Sequence, residues 1–483
     1  MRIFILLFVL VLAGCGERSA GEPQQLEQPE RGLAEELAEA VAGDVVELEG
    51  NQEYVGTFVV PAGVSLVGNG ATLRGEGLVA LTLRSQPGLA TSVSGLTILN
   101  DGVAMVITGG GDVSLERVTI NVTAGAGLLA QDLRTLTLTD VTVLGDLSSG
   151  DLAALGDRVD PSVHPVVGIG ASGVEELRLE RTDVHRIAGL SAVFHESNTE
   201  WDGGRLTQSV GTHILVDAGQ FQGVDLTIVD GLRGTGPGGF GSVGMAVNGG
   251  ATVLTSRVTI RSIDGVGILQ GEGQGLHTDL NVEQTEDVGI WVLRSSANPA
   301  LNLLRAVVAR TRGAGVVVSG ADGVIIDGAE IYEVFRHERM TDMGMQTVGD
   351  GLQLSAVRER IVVARTMLRA NPRVGFLIDG DGAEPELDFD GVDIGAPAEF
   401  DDETYGFIAQ NFAVDPTPIG LNVAPELLAN DGALDELLPL IAPREVPSIG
   451  FVGENGFVGE NGFVGENGFV GENGFVGENG FVR

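Results

Sequence analysis

Leu115-Glu-Arg-Val-Thr-Ile120, Gly127-Leu128 and Leu138-Thr-Asp-Val-Thr-Val143 follow one another along the chain, and their reading decides the fold. Each hexapeptide alternates apolar and polar residues on either side of a polar pair, which reads as two short strands around a tight bend. The glycine between them opens a third strand. The hexapeptide returns at Val93-Ser-Gly-Leu-Thr-Ile98, Ile326-Asp-Gly-Ala-Glu-Ile331 and Phe389-Asp-Gly-Val-Asp-Ile394. The glycine returns at Gly102, Gly168, Gly189, Gly244, Gly267, Gly289, Gly315, Gly351, Gly375 and Gly406, with shortest spacings of about 21 to 24 residues. A period of that length with three strands predicts a coil with three faces. Stacking coils at ~4.8 Å satisfies the backbone and joins the inward rows into one core. Leucine-rich repeats would need a helical half and a regular Asn or Cys, and a propeller blade needs about 40 residues. The expectation is therefore an all-β parallel solenoid of roughly fifteen coils over residues 44–412.

The start of the solenoid carries its own signal. Leu33, Leu37 and Val41 recur every four residues and Gly43 follows, which predicts a helix over 32–43. Val46/Leu48, Phe58/Val60 and Val64/Leu66 then alternate between glycines. This passage, with Gly43-Asp44, Val46-Glu47-Leu48, Gly50, Tyr54 and Gly68, resembles the opening of pectin-lyase-like right-handed parallel β-helices. The resemblance implies that the helix caps the core.

Hydrophobic residues make up 43% of the chain and aromatics only 5%, with 74 glycines, so the core must come from Val, Leu, Ile and Ala. The net charge is −39, and all 28 basic residues are arginine. Such a charge argues against nucleic acid or an anionic membrane surface as a partner. It also disfavours acidic polysaccharides unless calcium bridges the two.

Met1-Arg2 precedes an apolar run from Ile3 to Ala13, too short to span a bilayer. Leu12-Ala13-Gly14-Cys15 resembles the bacterial lipoprotein box, which implies lipidation of Cys15, the sole cysteine, and Gly16 after it implies the outer membrane. Acyl chains contribute ~0.8 kcal/mol per buried methylene. With one cysteine no internal disulfide is possible. Residues 16–31 have a polar, proline-containing composition and read as a tether.

Long periods place insertions at 144–166, 231–243, 332–349 and 395–405, all at the corner before the glycine-led strand. In the pectin-lyase-like family, catalytic clefts border that face. Alternation puts Ala104, Leu129, Gly170, Ser191, Leu215, Ala246, Leu269, Trp291, Val317, Gln353, Leu377 and Ile408 in a first outward row. A second row is Val106, Gln131, Ser172, Val193, Asp217, Asn248, Leu293, Ser319, Ser355, Asp379 and Gln410. Its two acids, Asp217 and Asp379, stand six coils apart, on the order of 29 Å at ~4.8 Å per coil. Glycoside hydrolysis needs two carboxylates ~5 to 10 Å apart, so these rows predict no catalytic residue.

The strongest case for an enzyme is Asp183-Val-His185-Arg186 with His195-Glu196, His213 and Asp217, although solvated coil corners explain the same residues. Asp160, His164, His337 and Glu338 lie on insertions that could swing over the face. Trp291, Asp217, Asn248 and Gln353 are the candidate ligand contacts, Trp291 by stacking on a sugar ring. Alternatively, the 332–349 insertion, with Val334, Phe335, Met340, Met343 and Met345, folds over Trp291, since so apolar an outer row would otherwise be a large exposed patch. Asp379-Gly-Asp381-Gly lacks the rest of a calcium loop and Asp401-Asp402-Glu403 reads as a solvated loop, so no metal or cofactor is expected.

Beyond 412 prolines predict a cap or linker to residue 450, and Phe-Val-Gly-Glu-Asn-Gly then repeats from Phe451 to Gly480 as a low-complexity tail. The sequence thus predicts a monomeric, lipid-anchored, non-catalytic β-helix that binds polysaccharide or another envelope component. The competing prediction is a polysaccharide lyase, epimerase or hydrolase, and it rests on fold analogy.

Overall fold

A β-carbon at residue 127 would lie 2.5 Å from Val143 Cγ1 and 2.6 Å from the carbonyl oxygen of Gly168. That crowding explains the recurrent glycine. The strand it opens passes so close to another strand of its coil that one inward position has no room for a side chain. A computed structural model describes residues 32–148, 165–232, 242–341, 343–381, 384–395, 404–412, 419–424, 427–430 and 437–441.

The chain forms a right-handed parallel β-helix of about 14 turns, with three parallel sheets running its length. Register along the glycine-led sheet runs Met105, Leu128, Ile169, Ala192, Ile214, Met245, Ile268, Ile290, Val316, Leu352, Phe376, Phe407. These side chains point inward and join Val, Leu and Ile from the other two sheets in one continuous core. Ile290, Val292, Val316 and Val318 belong to that core, while Trp291 and Val317 point outward, as alternation predicts. The first helix spans Leu33–Glu39, buries Leu33 and Leu37 and packs on Phe58–Val60. Val41 lies beyond it and is exposed, so the apolar stripe is one turn shorter than its spacing suggests.

The bend between the second and third strands of each coil takes a residue with positive φ, among them Arg117, Asp140, Arg181, Asp225, Arg257, Asp279, Arg305 and Arg365. Here arginine and aspartate pair between coils. Arg181 donates to Asp140 at 2.7 and 3.1 Å, Arg257 to Asp225 at 2.6 and 2.8 Å, and Arg305 to Asp279 at 2.6 and 2.9 Å. The planar guanidinium fork fits a carboxylate with two bonds, as a lysine does not. Such exposed pairs stabilise by at most ~1 kcal/mol each.

Two rungs of the outward rows are placed differently from expectation. In the strand after Gly102 the crowded inward position is Ala104, and in the strand after Gly189 it is Ser191; both are fully buried. Val106 and Val193 therefore take the first outward row, beside Leu129 and Leu215. The second row then passes through Thr108 and His195.

The outer side of the glycine-led sheet is itself an apolar core. Val106, Leu129, Val193, Leu215, Ala246, Leu269, Trp291 and Val317 are buried there with Val348 and Ile441. Strand pairing also continues past residue 412, through Leu421–Asn422 and Leu428–Asn430. The segment 437–441 turns back across the outer face. Leu438 N–H donates to Gln410 Oε1 (3.0 Å), Gln410 Nε2 donates to Leu438 O (3.0 Å), Arg373 Nη1 donates to Pro439 O (2.9 Å), and Ile441 N–H donates to Gln353 Oε1 (3.1 Å). Beneath it lies a buried ion pair between Arg373 and Asp350.

Candidate functional site

The second outward row is polar where the apolar cover ends. Register places Thr108, Gln131, Ser172, His195, Asp217 and Asn248 on successive coils, each ~4.8 Å from the next. His195 Nδ1 lies 3.0 Å from Asp217 Oδ2, and His195 Nε2 lies 4.0 Å from Glu196 Oε1. Both members of the His195–Asp217 pair are partly open to solvent. The hydrogen bond that His195 Nδ1 donates to Asp217 raises the pKa of His195 above its ordinary value against the opposing effect of partial burial. Asp217 thus favours the imidazolium, which donates hydrogen bonds from both nitrogens and suits a general acid better than a base.

Three residues further along each of these coils the chain has turned the corner into the second sheet. Arg134, Glu175, Asn198 and Gln220 stand there and, with Glu176, Glu200, Gln222 and Leu254, line an open trough of about 520 Å³ on that sheet's outer face. Asn198 Nδ2 is fixed by Glu175 O at 3.0 Å. The repeat supplies this arrangement. Outward positions of a parallel sheet recur once per coil, so polar residues at equivalent places form a ladder along the axis.

The residues singled out in the sequence are separated by this geometry. Asp217 and Asn248 are adjacent and accessible. Trp291 is buried within the outer apolar cluster, and Gln353 is buried with its carbonyl oxygen bonded to Ile441. Neither is open to a ligand. The insertion contributes Val348 to the cover over Trp291, but Phe335, Met343 and Met345 are exposed. Asp183 and His185 belong to the third sheet, where Asp183 accepts from Arg205 N–H and His185 Nδ1 lies 2.8 Å from Thr207 Oγ1. Burial lowers the pKa of His185.

His213 occupies the crowded inward position, in the place glycine takes in most coils, and is fully buried with its pKa lowered to about 4 by desolvation. The Asp183, His185, His195, His213 and Asp217 set is therefore divided between two outer faces and the interior. Asp379 is buried rather than a surface turn residue and accepts from Gln410 Nε2, Asn411 Nδ2 and Asp381 N–H; burial raises its pKa. His337 and Glu338 lie on an antiparallel hairpin. Among the described residues no three His, Cys, Asp or Glu side chains converge as metal ligands. Cys15, Asp160, His164, the 401–403 acids and the hexapeptide tail lie outside the described residues.

No family model matches the chain, and no curated protein matches it. Solved structures are similar at low level. The A-module of the mannuronan C-5 epimerase AlgE6 of Azotobacter vinelandii is 13% identical, over 80% of this chain and 94% of that one, with a TM-score of 0.32. The periplasmic alginate epimerase AlgG is 10% identical over 80% and 82%, with a TM-score of 0.35. A PL6 alginate lyase in complex with a trisaccharide is 12% identical over 86% and 88%, with a TM-score of 0.27. At these values neither substrate nor reaction passes from those proteins to this chain, and the β-helix rests on its own strand register.

Proposed function

We propose that this is a lipid-anchored protein of the bacterial envelope, at the outer membrane, whose β-helix binds polysaccharide along the coil corner without turning it over. The observation that carries the reading is the trough beside the polar row, where hydrogen-bonding side chains repeat at coil spacing. An extended polymer laid along the axis meets a similar group at every coil. The excess of Glu175, Glu176 and Glu200 over Arg134 in the lining favours a neutral glycan over an acidic one.

A catalytic reading is favoured by one observation, the His195–Asp217 pair with Glu196 beside it. A lyase, epimerase or hydrolase would use that imidazole as its acid or base. The apolar cover over much of the glycine-led face supports the non-catalytic reading. Calorimetric titration with neutral and acidic glycans, with reducing ends and unsaturated products followed in parallel, tests both. Binding that weakens at least tenfold in Asn198→Ala/Gln220→Ala without product formation supports the scaffold. Binding indifferent to that variant removes the trough from the account, and product formation lost in His195→Ala replaces the scaffold with an enzyme.

A further inference from the structure

The chain carries 67 acidic and 28 basic residues, yet four consecutive coils present no charge on the outer face of the second sheet. Outward positions of Gln220–Val224, Ala251–Ser256, Gly273–Thr278 and Leu301–Leu304 hold only amides, hydroxyls and aliphatic groups. Gln220, Gln222, Gln274 and Asn302 are the amides, with Thr252, Ser256 and Thr278 among them. Register runs the middle row through Gln222, Leu254, Leu276, Asn302 and Ile325. Leu254 is 38% exposed, and Leu276, Leu304 and Ile325 are half-buried. At the bend bordering this face the charges neutralise one another, Arg257 with Asp225 and Arg305 with Asp279.

Packing of the coil does not call for these aliphatic groups, which point away from the continuous core. A face that met only water would carry charge there, as Glu176, Arg178 and Glu180 do on an earlier coil. An apolar row set among amides marks a binding surface instead. It also continues the trough, since Leu254 lines both. From Asn198 to Ile325 the track crosses five coil steps, on the order of 24 Å at ~4.8 Å each. An occupant of this length must offer hydroxyls to the amides, C–H surface to the leucines and no charge, because a carboxylate would lose water here without gaining a counterion. A β-1,4-linked neutral glycan has that form: its equatorial hydroxyls lie along the edges of a flat ribbon and its ring faces are C–H.

We infer that the uncharged face from Gln220 to Ile325 extends the trough into one track for a flat, unsubstituted β-1,4-linked neutral glycan laid along the solenoid axis. The inference rests on the glycan-binding reading of the trough and adds the class and length of the polymer. The probes are β-1,4-linked gluco-oligosaccharides, titrated calorimetrically into the full chain. The hexasaccharide should bind at least tenfold more tightly than the disaccharide, which is too short to leave the trough. The α-1,4-linked hexasaccharide, which coils and cannot lie flat, should gain nothing over its disaccharide. Leu276→Ser/Ile325→Ser should abolish the gain of the β-linked hexasaccharide while leaving disaccharide binding and the melting temperature as they were. In the wild-type chain, NMR cross-relaxation should connect hexasaccharide ring protons to the methyl groups of Leu254, Leu276 and Ile325, a readout independent of the variants. Disaccharide binding that depends on Asn198 and Gln220 but does not tighten with length would leave the trough reading standing and overturn the extended track. Equal binding of the hexasaccharide by the serine variant would overturn it as well, and so would a wild-type dimer that this variant splits, since the face would then belong to a second copy. No binding at any length would end both readings.

Discussion

His195 and Asp217 occupy the same outward position on adjacent coils, and their side chains meet at 3.0 Å. A parallel register turns a separation of 22 residues into a direct neighbour.

That contact makes stability depend on pH with a definite sign. The hydrogen bond to Asp217 raises the folded-state pKa of His195 above its ordinary value. Its contribution is complete below the unfolded value and is lost as pH rises through the folded one. Asp217→Asn should therefore narrow the stability margin by up to ~1 kcal/mol near pH 5.5 and by little near pH 9. Chemical denaturation at the two pH values, with the His195 resonance followed by NMR, measures both. An imidazole that titrates identically in the variant would show the pair to be inert.

The crowded inward position sets a second expectation. Gly127→Ala places a β-carbon 2.6 Å from backbone and 2.5 Å from Val143, so the coil must shift. Overpacking of this kind costs about 1 to 3 kcal/mol. Leu254→Ala, at a partly exposed position on the outer face of the second sheet, should cost less. Urea midpoints in the opposite order would show that the strands have more freedom than their spacing implies.

The architecture was legible in the sequence because most coils repeat the same steric demand, met by glycine from Gly127 to Gly406, and that repetition outvotes local exceptions such as His213. The site was not, and the reason is specific. Small residues other than glycine fill the crowded position at Ala104 and Ser191, the latter with room to meet Ser209 Oγ at 2.5 Å. Counting from Gly102 and Gly189 put the inward Ala104 and Ser191 in the outward row and displaced those rungs by two residues along the strand. Val193 consequently stood where His195 belongs, and Asp217 looked solitary. The strap at 437–441 showed only as part of the predicted cap or linker, and its path did not, because a segment folding back on coils it does not extend leaves no period to read.

The covered outer face changes what Val317 should tolerate. Alternation alone would make Val316→Asp lethal to folding and Val317→Asp mild. Both valines are fully buried, in separate cores on the two sides of one strand. Each aspartate would bury a carboxylate without a designed partner, at several kcal/mol. Both variants should fail to give a cooperative thermal transition, whereas Leu254→Asp should fold. A well-folded Val317→Asp protein would mean that the cover opens readily.

Acid should find the two interior histidines. His213 and His277 are fully buried with pKa values lowered to about 4. Their unfolded forms bind protons from about pH 6.5 downward while the folded forms resist until about pH 4, so stability falls across that interval as unfolding takes up protons. Each contributes on the order of 3 kcal/mol of loss by pH 4. His213→Ser, the residue already present at the equivalent Ser191, should flatten the pH dependence of the urea midpoint between pH 6.5 and 4. An unchanged slope would assign acid sensitivity elsewhere.

The strap is held by side-chain amides and one buried ion pair, and these two kinds of contact should fail differently. Gln410 meets both backbone groups of Leu438 while donating to Asp379 at 2.7 Å, and Gln353 accepts from Ile441. Replacing both by alanine removes three hydrogen bonds to the strap, at about 1 kcal/mol each, and leaves Asp379 with two of its three donors, Asn411 Nδ2 and Asp381 N–H. The strap should then open locally while the coils persist, exposing Leu377 and Ile408 beneath it. Arg373→Met is different, for Asp350 beneath is fully buried and would remain as an unpaired carboxylate, costing ~3 to 5 kcal/mol. Hydrogen exchange should show faster exchange confined to 437–441 in Gln353→Ala/Gln410→Ala, and a lowered midpoint for the whole solenoid in Arg373→Met. If both variants instead lose stability globally and together, the strap is an integral part of the solenoid's folding unit and not a cover laid upon it.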